Sequence, residues 1–330
     1  VVRSVAGQSP RAVEITDVRD PAAAGSSFEF LDQDVVHLPS PSPFRARRVI
    51  VRLEDCLLVY YVTSVPVRTR PTLQDDVVAF VTFGTGAVGT ADGMPIGGET
   101  MLYVPSGQSL AVVAQPGYES ASFLVRPEVL AEHLSAGGLG EALPLVERVQ
   151  MLTVGVGTEG QPFTWARRLI DAVVEQPDLL DDSPERRAAV QRDLLETLAG
   201  ALGSSATHEL DRRGRTRRAR SDMVRDAERY AMAHADDRLY VKDLCQAAAV
   251  SERTLEYAFR AELGISPMAY LTRIRLHKVH EELLRASSAP TTVTQAALRW
   301  GFWHFGEFAR AYKDCFQELP SDTLRRAQGG

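Results

Sequence analysis

The chain has 330 residues, a net charge of −6, 45% hydrophobic and 24% charged residues, the make-up of a globular protein of two domains. It has no apolar run of roughly 18 residues, which argues against a transmembrane helix, and its first residues carry no basic segment followed by an apolar core, so no signal peptide is expected. Cys56, Cys245 and Cys315 are scattered without a C-x-x-C spacing, which argues against a disulfide framework or zinc finger and fits a reducing, cytoplasmic setting.

In chain order, residues 1–45 are rich in Pro, Ser and small residues and read as an arm with little regular structure. From Arg47 to Arg126 short β-type runs alternate with Gly, Pro and Asp: Val49–Leu53, Leu57–Thr63, Val77–Phe83, Met101–Val104 and Leu110–Ala114. Many short strands with regular turn signals predict a barrel or sandwich. The stretch Gly97–Gly107 resembles the turn–strand–turn pattern of cupins, so the expected architecture is a cupin-like β-barrel. Metal-binding cupins place His and Glu ligands around that pattern. Here no His lies between His37 and His133, so neither metal nor cofactor is expected.

Residues 127–202 turn helical, with Pro127–Leu134, Phe163–Glu175 and a third helix capped by Ser183 before Pro184. On this third helix Val190, Leu194, Leu198 and Leu202 recur every four residues. The stripe is assigned to a homodimer contact, with core packing as the alternative. Residues 203–220 are polar and Arg-rich and read as a solvated basic linker that can add phosphate contacts.

From Met223 onward helical patterns dominate. Leu239–Ala248, a turn, and a helix capped by Ser251 form one helix–turn–helix. In the capped helix Leu255, Phe259 and Leu263 make a buried side, leaving Glu252, Arg253, Glu256, Tyr257 and Arg260 outward. Gly264 stands where a left-handed cap is expected. Ser266 and Pro267 open a long helix to Leu284. A second unit follows: Val293, Ala296 and Ala297, a turn through Trp300–Phe302, then a helix with Phe308 and Tyr312 inward and Phe305, Gly306, Ala309, Arg310 and Lys313 outward. Two such units suit two reading helices in DNA major grooves, with Ser251 and His304 at their starts. The charge agrees: residues 211–330 hold 21 Lys and Arg against 16 Asp and Glu, a balance of +5, and residues 1–210 hold 16 against 27, a balance of −11. The predicted division is 1–160 (arm and barrel), 161–203 (helical dimerisation segment), 204–220 (linker) and 221–330 (DNA-binding domain), an α+β chain with an all-α C-terminal part.

The pattern Leu244, Val250, Ser251, Leu255, Phe259, Arg260, Gly264, Pro267, Tyr270, Leu271, Arg275, Leu276, then Ala296, Ala297, Gly301, Phe302, Phe308, Ala309, Arg310, Tyr312, Lys313, Pro320 and Ser321, resembles the arabinose-regulator (AraC/XylS) family over residues 220–326. The resemblance implies a bacterial transcription regulator, cytoplasmic, with two helix–turn–helix units per chain and an N-terminal effector and dimerisation domain of cupin type. Its partners would be double-stranded DNA, a small-molecule effector, a second copy of the chain and RNA polymerase, with no membrane. Three features depart from the pattern. Ala249 stands where the first turn usually has Gly, and Gln317 where Gly is usual before Pro320, so those turns are expected to differ in shape. In place of the polar residues of sugar-binding relatives, this chain offers Phe80, Phe83, Tyr103, Leu110 and Val112. That lining suits an apolar or aromatic effector, with plain barrel core as the alternative.

The leading expectation is an effector-responsive activator and no enzyme. A regulator without a small ligand, controlled by a protein partner, remains open. A cupin enzyme fused to a DNA module is disfavoured by the missing His ligands, and a methyl-transferring repair fusion by the lack of a zinc-binding cysteine cluster.

Overall fold

The computed structural model describes residues 11–19, 30–40, 42–137, 147–155, 161–181, 183–207, 212–234, 237, 239–287 and 291–328. The chain runs β1 (Val13–Val18), β2 (Leu31–His37), β3 (Ala46–Arg52), β4 (Cys56–Thr63), β5 (Val67–Leu73), β6 (Val78–Phe83), β7 (Gly89–Ala91), β8 (Met94–Ile96), β9 (Thr100–Val104), β10 (Val112–Ala114) and β11 (Tyr118–Val125). Then come α1 (Pro127–Ala136), β12 (Gln150–Thr153), α2 (Pro162–Glu175), α3 (Pro184–Ser204), β13 (Ala206–Thr207), α4 (Arg212–Ala233), α5 (Val241–Ala247), α6 (Glu252–Leu263), α7 (Pro267–Leu284), α8 (Val293–Arg299), α9 (Phe305–Phe316) and α10 (Pro320–Gln328).

The strands form two antiparallel sheets, an eight-stranded one in the order β1-β3-β4-β11-β6-β9-β12-β13 and a five-stranded one in the order β2-β5-β10-β7-β8. The expected cupin-like β-barrel takes the form of two facing sheets, with no ladder joining them among the described residues. The arm expected over residues 1–45 is corrected. β1 pairs with β3, Val13 opposite Val51, and β2 pairs with β5, Leu31 opposite Leu73. Their backbone donors are satisfied by neighbours far along the chain, which local composition does not reveal. Residues 1–10, 20–29 and 41 of that arm lie outside the described residues.

Because side chains alternate across a strand, the eight-stranded sheet has two apolar faces. Val49, Val51, Leu58, Phe80, Met101 and Phe123 face α1, α2 and α3, where Ile170, Val173, Leu194, Leu195 and Leu198 complete one core. Ile50, Val59, Val81, Leu102 and Leu124 face the five-stranded sheet, where Val67, Leu73, Val112 and Ala114 complete a second. Ser183 caps α3 by accepting from Arg186 N at 3.2 Å. Leu194 and Leu198 are 0% exposed and Leu202 is buried, while Val190 packs half-buried on the same core. Leu195 and Gln191 are buried with them, and Gln191 Oε1 accepts from Asp55 N at 2.8 Å. The buried arc is therefore wider than the four-residue stripe, and it packs within the chain instead of forming a helix–helix seam.

The basic linker is corrected as well. Residues 212–220 are the first turns of α4, which continues without a break to Ala233. This helix sits on the β7–β8 hairpin: Asp92, buried, reaches Arg218 at 3.8 Å and Arg225 at 3.7 Å. Gly93, with φ +76°, lets the backbones close up, since a Cβ there would lie 2.7 Å from Arg217 O. Residues 208–211, also given to the linker, lie outside the described residues.

Candidate DNA-reading surface and sensor cavity

Each reading helix is built the same way. In the first unit α5 ends in a turn where Val250 N donates to Cys245 O at 3.0 Å; in the second, α8 ends where Phe302 N donates to Ala297 O at 2.9 Å. Ala249 at φ 52° occupies the place that Gly301 takes at φ 81°. The first turn thus keeps the left-handed shape that its sequence departure put in doubt, and so does Gln317, at φ 59° after α9. Holding a non-Gly residue there costs about 1–2 kcal/mol, offset by the roughly 0.5–1 kcal/mol that glycine loses in chain entropy. Ala249→Gly and Gln317→Gly are each expected to stabilise the chain by about 0.5–1 kcal/mol, read as a higher urea midpoint with unchanged slope.

α6 starts at Ser251, whose Oγ accepts from Thr254 N at 3.2 Å. Leu255, Ala258, Phe259 and Leu263 are buried, Glu252, Arg253, Tyr257 and Arg260 exposed, and Glu256 half-buried. Arg260 Nε donates to Glu256 Oε1 at 2.7 Å, so two of the outward groups neutralise each other. That leaves Arg253 and Tyr257 the most prominent, the latter 67% exposed. α9 buries Phe308, Tyr312 and Cys315 and exposes His304, Phe305, Gly306, Arg310 and Lys313, with Ala309 half-buried. His304 stands at its N-terminus without a side-chain cap. Trp303, absent from the expected reading residues, is 61% exposed beside it; a large apolar residue left in the turn, where burial partners are few, was the available signal. α7 carries both units, burying Tyr270, Leu271 and Ile274 in the first and Leu276, Val279 and Leu283 in the second. A buried chain of hydrogen bonds stiffens the second: Tyr312 Oη pairs with His280 Nδ1 at 2.5 Å and with Thr323 Oγ1 at 2.8 Å.

Between the two sheets lies an apolar cavity of about 80 Å³. Val59, Tyr61, Ala79, Val81, Tyr118 and Ser120 line one wall, and Val67, Thr69, Leu73, Val112 and Ala114 the other. Of the five expected effector residues, Leu110 and Val112 line it. Phe83 points into the same inter-sheet core, but Phe80 and Tyr103 face the helices, stacked tilted with centroids 5.5 Å apart. Residues three apart on one strand point to opposite faces, which separates Phe80 from Phe83. Arg48 was missed. It borders the cavity, and burial pulls its guanidinium down from its ordinary range. Burial pushes the Tyr118 phenol up to about 12.

Among the described residues no cluster of three His, Cys, Asp or Glu could hold a metal, and no helix is long and apolar enough to cross a membrane.

Comparison with known proteins matches a helix-turn-helix domain family to residues 244–326. The chain is 39% identical over 148 residues to a probable thc operon regulatory protein of Rhodococcus erythropolis, covering 44% of this chain and 45% of that one. It is 39% identical over 83 residues to XylDLEGF operon transcriptional activator 1 of Pseudomonas putida, covering 25% of each. Each match therefore spans less than half of the relative's own length. A solved structure, a probable AraC family transcriptional regulator from Rhodopseudomonas palustris, is 42% identical over 32% of this chain and 97% of that one, with a TM-score of 0.31. With two reading helices built alike and carried on one long helix, the chain belongs to the AraC/XylS family of helix-turn-helix transcriptional regulators.

Proposed function

We propose that this protein binds specific double-stranded DNA through α6 and α9 and activates transcription in response to a small apolar molecule held between its sheets. The observation that carries the reading is the pair of exposed reading faces, Arg253 and Tyr257 on one helix and Phe305 and Arg310 on the other, joined by α7. Arginines at such positions can read guanine bidentately, and an exposed aromatic ring can press on a thymine methyl. The Pseudomonas putida relative is an operon transcriptional activator.

For the sensor half we favour a cupin-like role without metal. The cavity is lined mainly by apolar side chains, with Thr69, Ser120, Ser122 and the half-buried Arg48 among them. Such a lining suits a small apolar or aromatic molecule, which is the effector we propose. A purely protein-controlled regulator remains the second reading, and it predicts no ligand-dependent stabilisation.

Binding of the full chain to genomic fragments should be steeply salt-dependent. Each phosphate neutralised contributes a log–log slope of about −0.9, so a surface that meets about four phosphates sets a slope of about −3.6. Genome-wide mapping of bound sites, followed by affinity measured at two salt concentrations, tests this. Binding that ignores salt, or that shows no site preference, would overturn the assignment. The genes beside the mapped sites would then narrow the effector.

A further inference from the structure

The five-stranded sheet is a partition, with the cavity on one side and the DNA-binding helices on the other. On β5, Val67, Thr69 and Pro71 line the cavity, and Arg68, between them, points the opposite way into α4. There its guanidinium meets Glu228: Nη2 donates to Oε2 at 2.6 Å and Nε to Oε1 at 3.1 Å, with the two side chains 2% and 0% exposed. β10 repeats the pattern. Val112 and Ala114 line the cavity, and Val113 packs among Val224, Leu255 and Phe259 of the reading domain. β2 does so at its end, where Val36 and Leu38 join that same apolar cluster. The carbonyl of His37 accepts from Arg273 Nη1 at 2.8 Å, and the same nitrogen lies 3.4 Å from Cys315 Sγ of the second unit. One thin sheet thus touches both helix–turn–helix units.

Size makes this arrangement consequential. An apolar cavity of about 150 Å³ is what holds a benzene ring. At about 80 Å³ this cavity is smaller, so any larger guest must displace a wall. The wall formed by the eight-stranded sheet is backed by α1, α2 and α3 in a continuous core. The other wall is made by β5 and β10, the latter three residues long, and is backed by the DNA-binding domain itself. Packed interiors do not compress, so the displacement passes to whatever the thinner wall leans on.

We infer that Arg68 and Glu228 are positioning residues that latch the DNA-binding domain to the sensor, and that filling the cavity acts on the reading helices by straining this latch through β5 and β10. The inference rests on the effector reading above for its biological input, but its mechanics are independent of which molecule enters. A coupling of this kind needs an element that both sites bias. Here that element is the docked or loosened state of α4 on the sheet. In the docked state the pair satisfies two charges that would otherwise be buried alone, so removing one partner disfavours docking far more than removing both.

Hydrogen exchange on the full chain tests it without any ligand. Ala79→Phe, with Ala79→Leu as the milder form, fills the cavity from the rigid wall. Either variant should speed exchange about tenfold at β5, β10 and the α4 amides around Glu228, leaving α2 and α3 unchanged. Glu228→Gln should loosen α4 by a similar factor without touching the cavity, and Arg68→Met added to Glu228→Gln should restore the protection. If α2 and α3 loosen instead, or if α4 keeps wild-type protection in Glu228→Gln, the inference is overturned. The same holds if the double variant is looser than the single one. Titration with decanoate as an apolar acid separates the two readings. Decanoate binding that leaves α4 protection unchanged keeps the effector reading and sinks the latch. A cavity-filling response in the absence of decanoate binding keeps the latch and removes that acid as effector.

Discussion

Leu194→Glu combined with Leu198→Glu is expected to unfold the sheet-bearing half of the protein, not to release folded monomers. Both leucines are 0% exposed, in one core with Phe123, Ile170 and Val173. Truncating a buried leucine alone costs about 2–5 kcal/mol. Each new carboxylate must in addition be protonated or stripped of water inside this apolar core, a further cost of several kcal/mol. Two such sites together exceed the roughly 5–15 kcal/mol by which domains are stable. Circular dichroism at room temperature should show loss of strand signal, and sedimentation should show aggregate or expanded chain. A compact, fully folded monomer would place the two leucines at a surface and contradict the packing described above. Leu198→Ala, a milder change, should lower stability by about 2–5 kcal/mol and keep the fold.

Arg253→Ala and Arg310→Ala are each expected to weaken specific DNA binding by about 1–3 kcal/mol, or roughly five- to 150-fold, and to do so at one base position each. The two positions should lie about one helical turn apart, roughly 10 base pairs, because α7 holds both reading helices as one body. The loss should be absent on DNA lacking the preferred base at that position, which distinguishes reading from phosphate contact. Arg260→Ala makes a useful contrast. Its guanidinium is held by Glu256 at 2.7 Å, so it has less to offer a base, and its removal should act weakly and evenly across sequences. Measured binding to a library of single-base variants of a mapped site checks all three. An even loss in Arg253→Ala or Arg310→Ala would make that residue a phosphate clamp.

Much of the C-terminal half was legible in residue order. Ser251 and Ser266 are found capping α6 and α7, Gly264 holds φ +72° at the end of α6, and α7 spans Pro267–Leu284 as its pattern predicts. Helices carry their hydrogen bonds within a short stretch, so caps, turns and a 3.6-residue apolar period are local signals. For the same reason the exposed faces of α6 and α9 followed from which residues the period buries. The turns at Ala249 and Gln317 were less legible. The departures from the family pattern there argued for altered shapes, while the packing of Leu244 with Phe259 and of Tyr312 with Phe316 holds both residues left-handed.

The N-terminal half was legible as β-structure but not as an architecture. β5 was missed because Val67–Leu73 alternates apolar residues with arginines and contains Pro71, features that demote a strand when read alone. Only the tertiary structure decides that Arg68 is a buried cation and not a solvated one, because its partner Glu228 lies 160 residues away. It likewise decides that the Arg-rich stretch from Arg212 is helix docked on Asp92 and Gly93 instead of linker, and that Phe80 and Phe83 serve different cores. Residue order by itself determined the family, the two reading units and the side chains they present, since each depends on neighbours within a few turns of helix. The facing of two sheets, the cavity between them and the latch behind one wall depend on contacts between distant segments, and these come into being only when the whole chain packs.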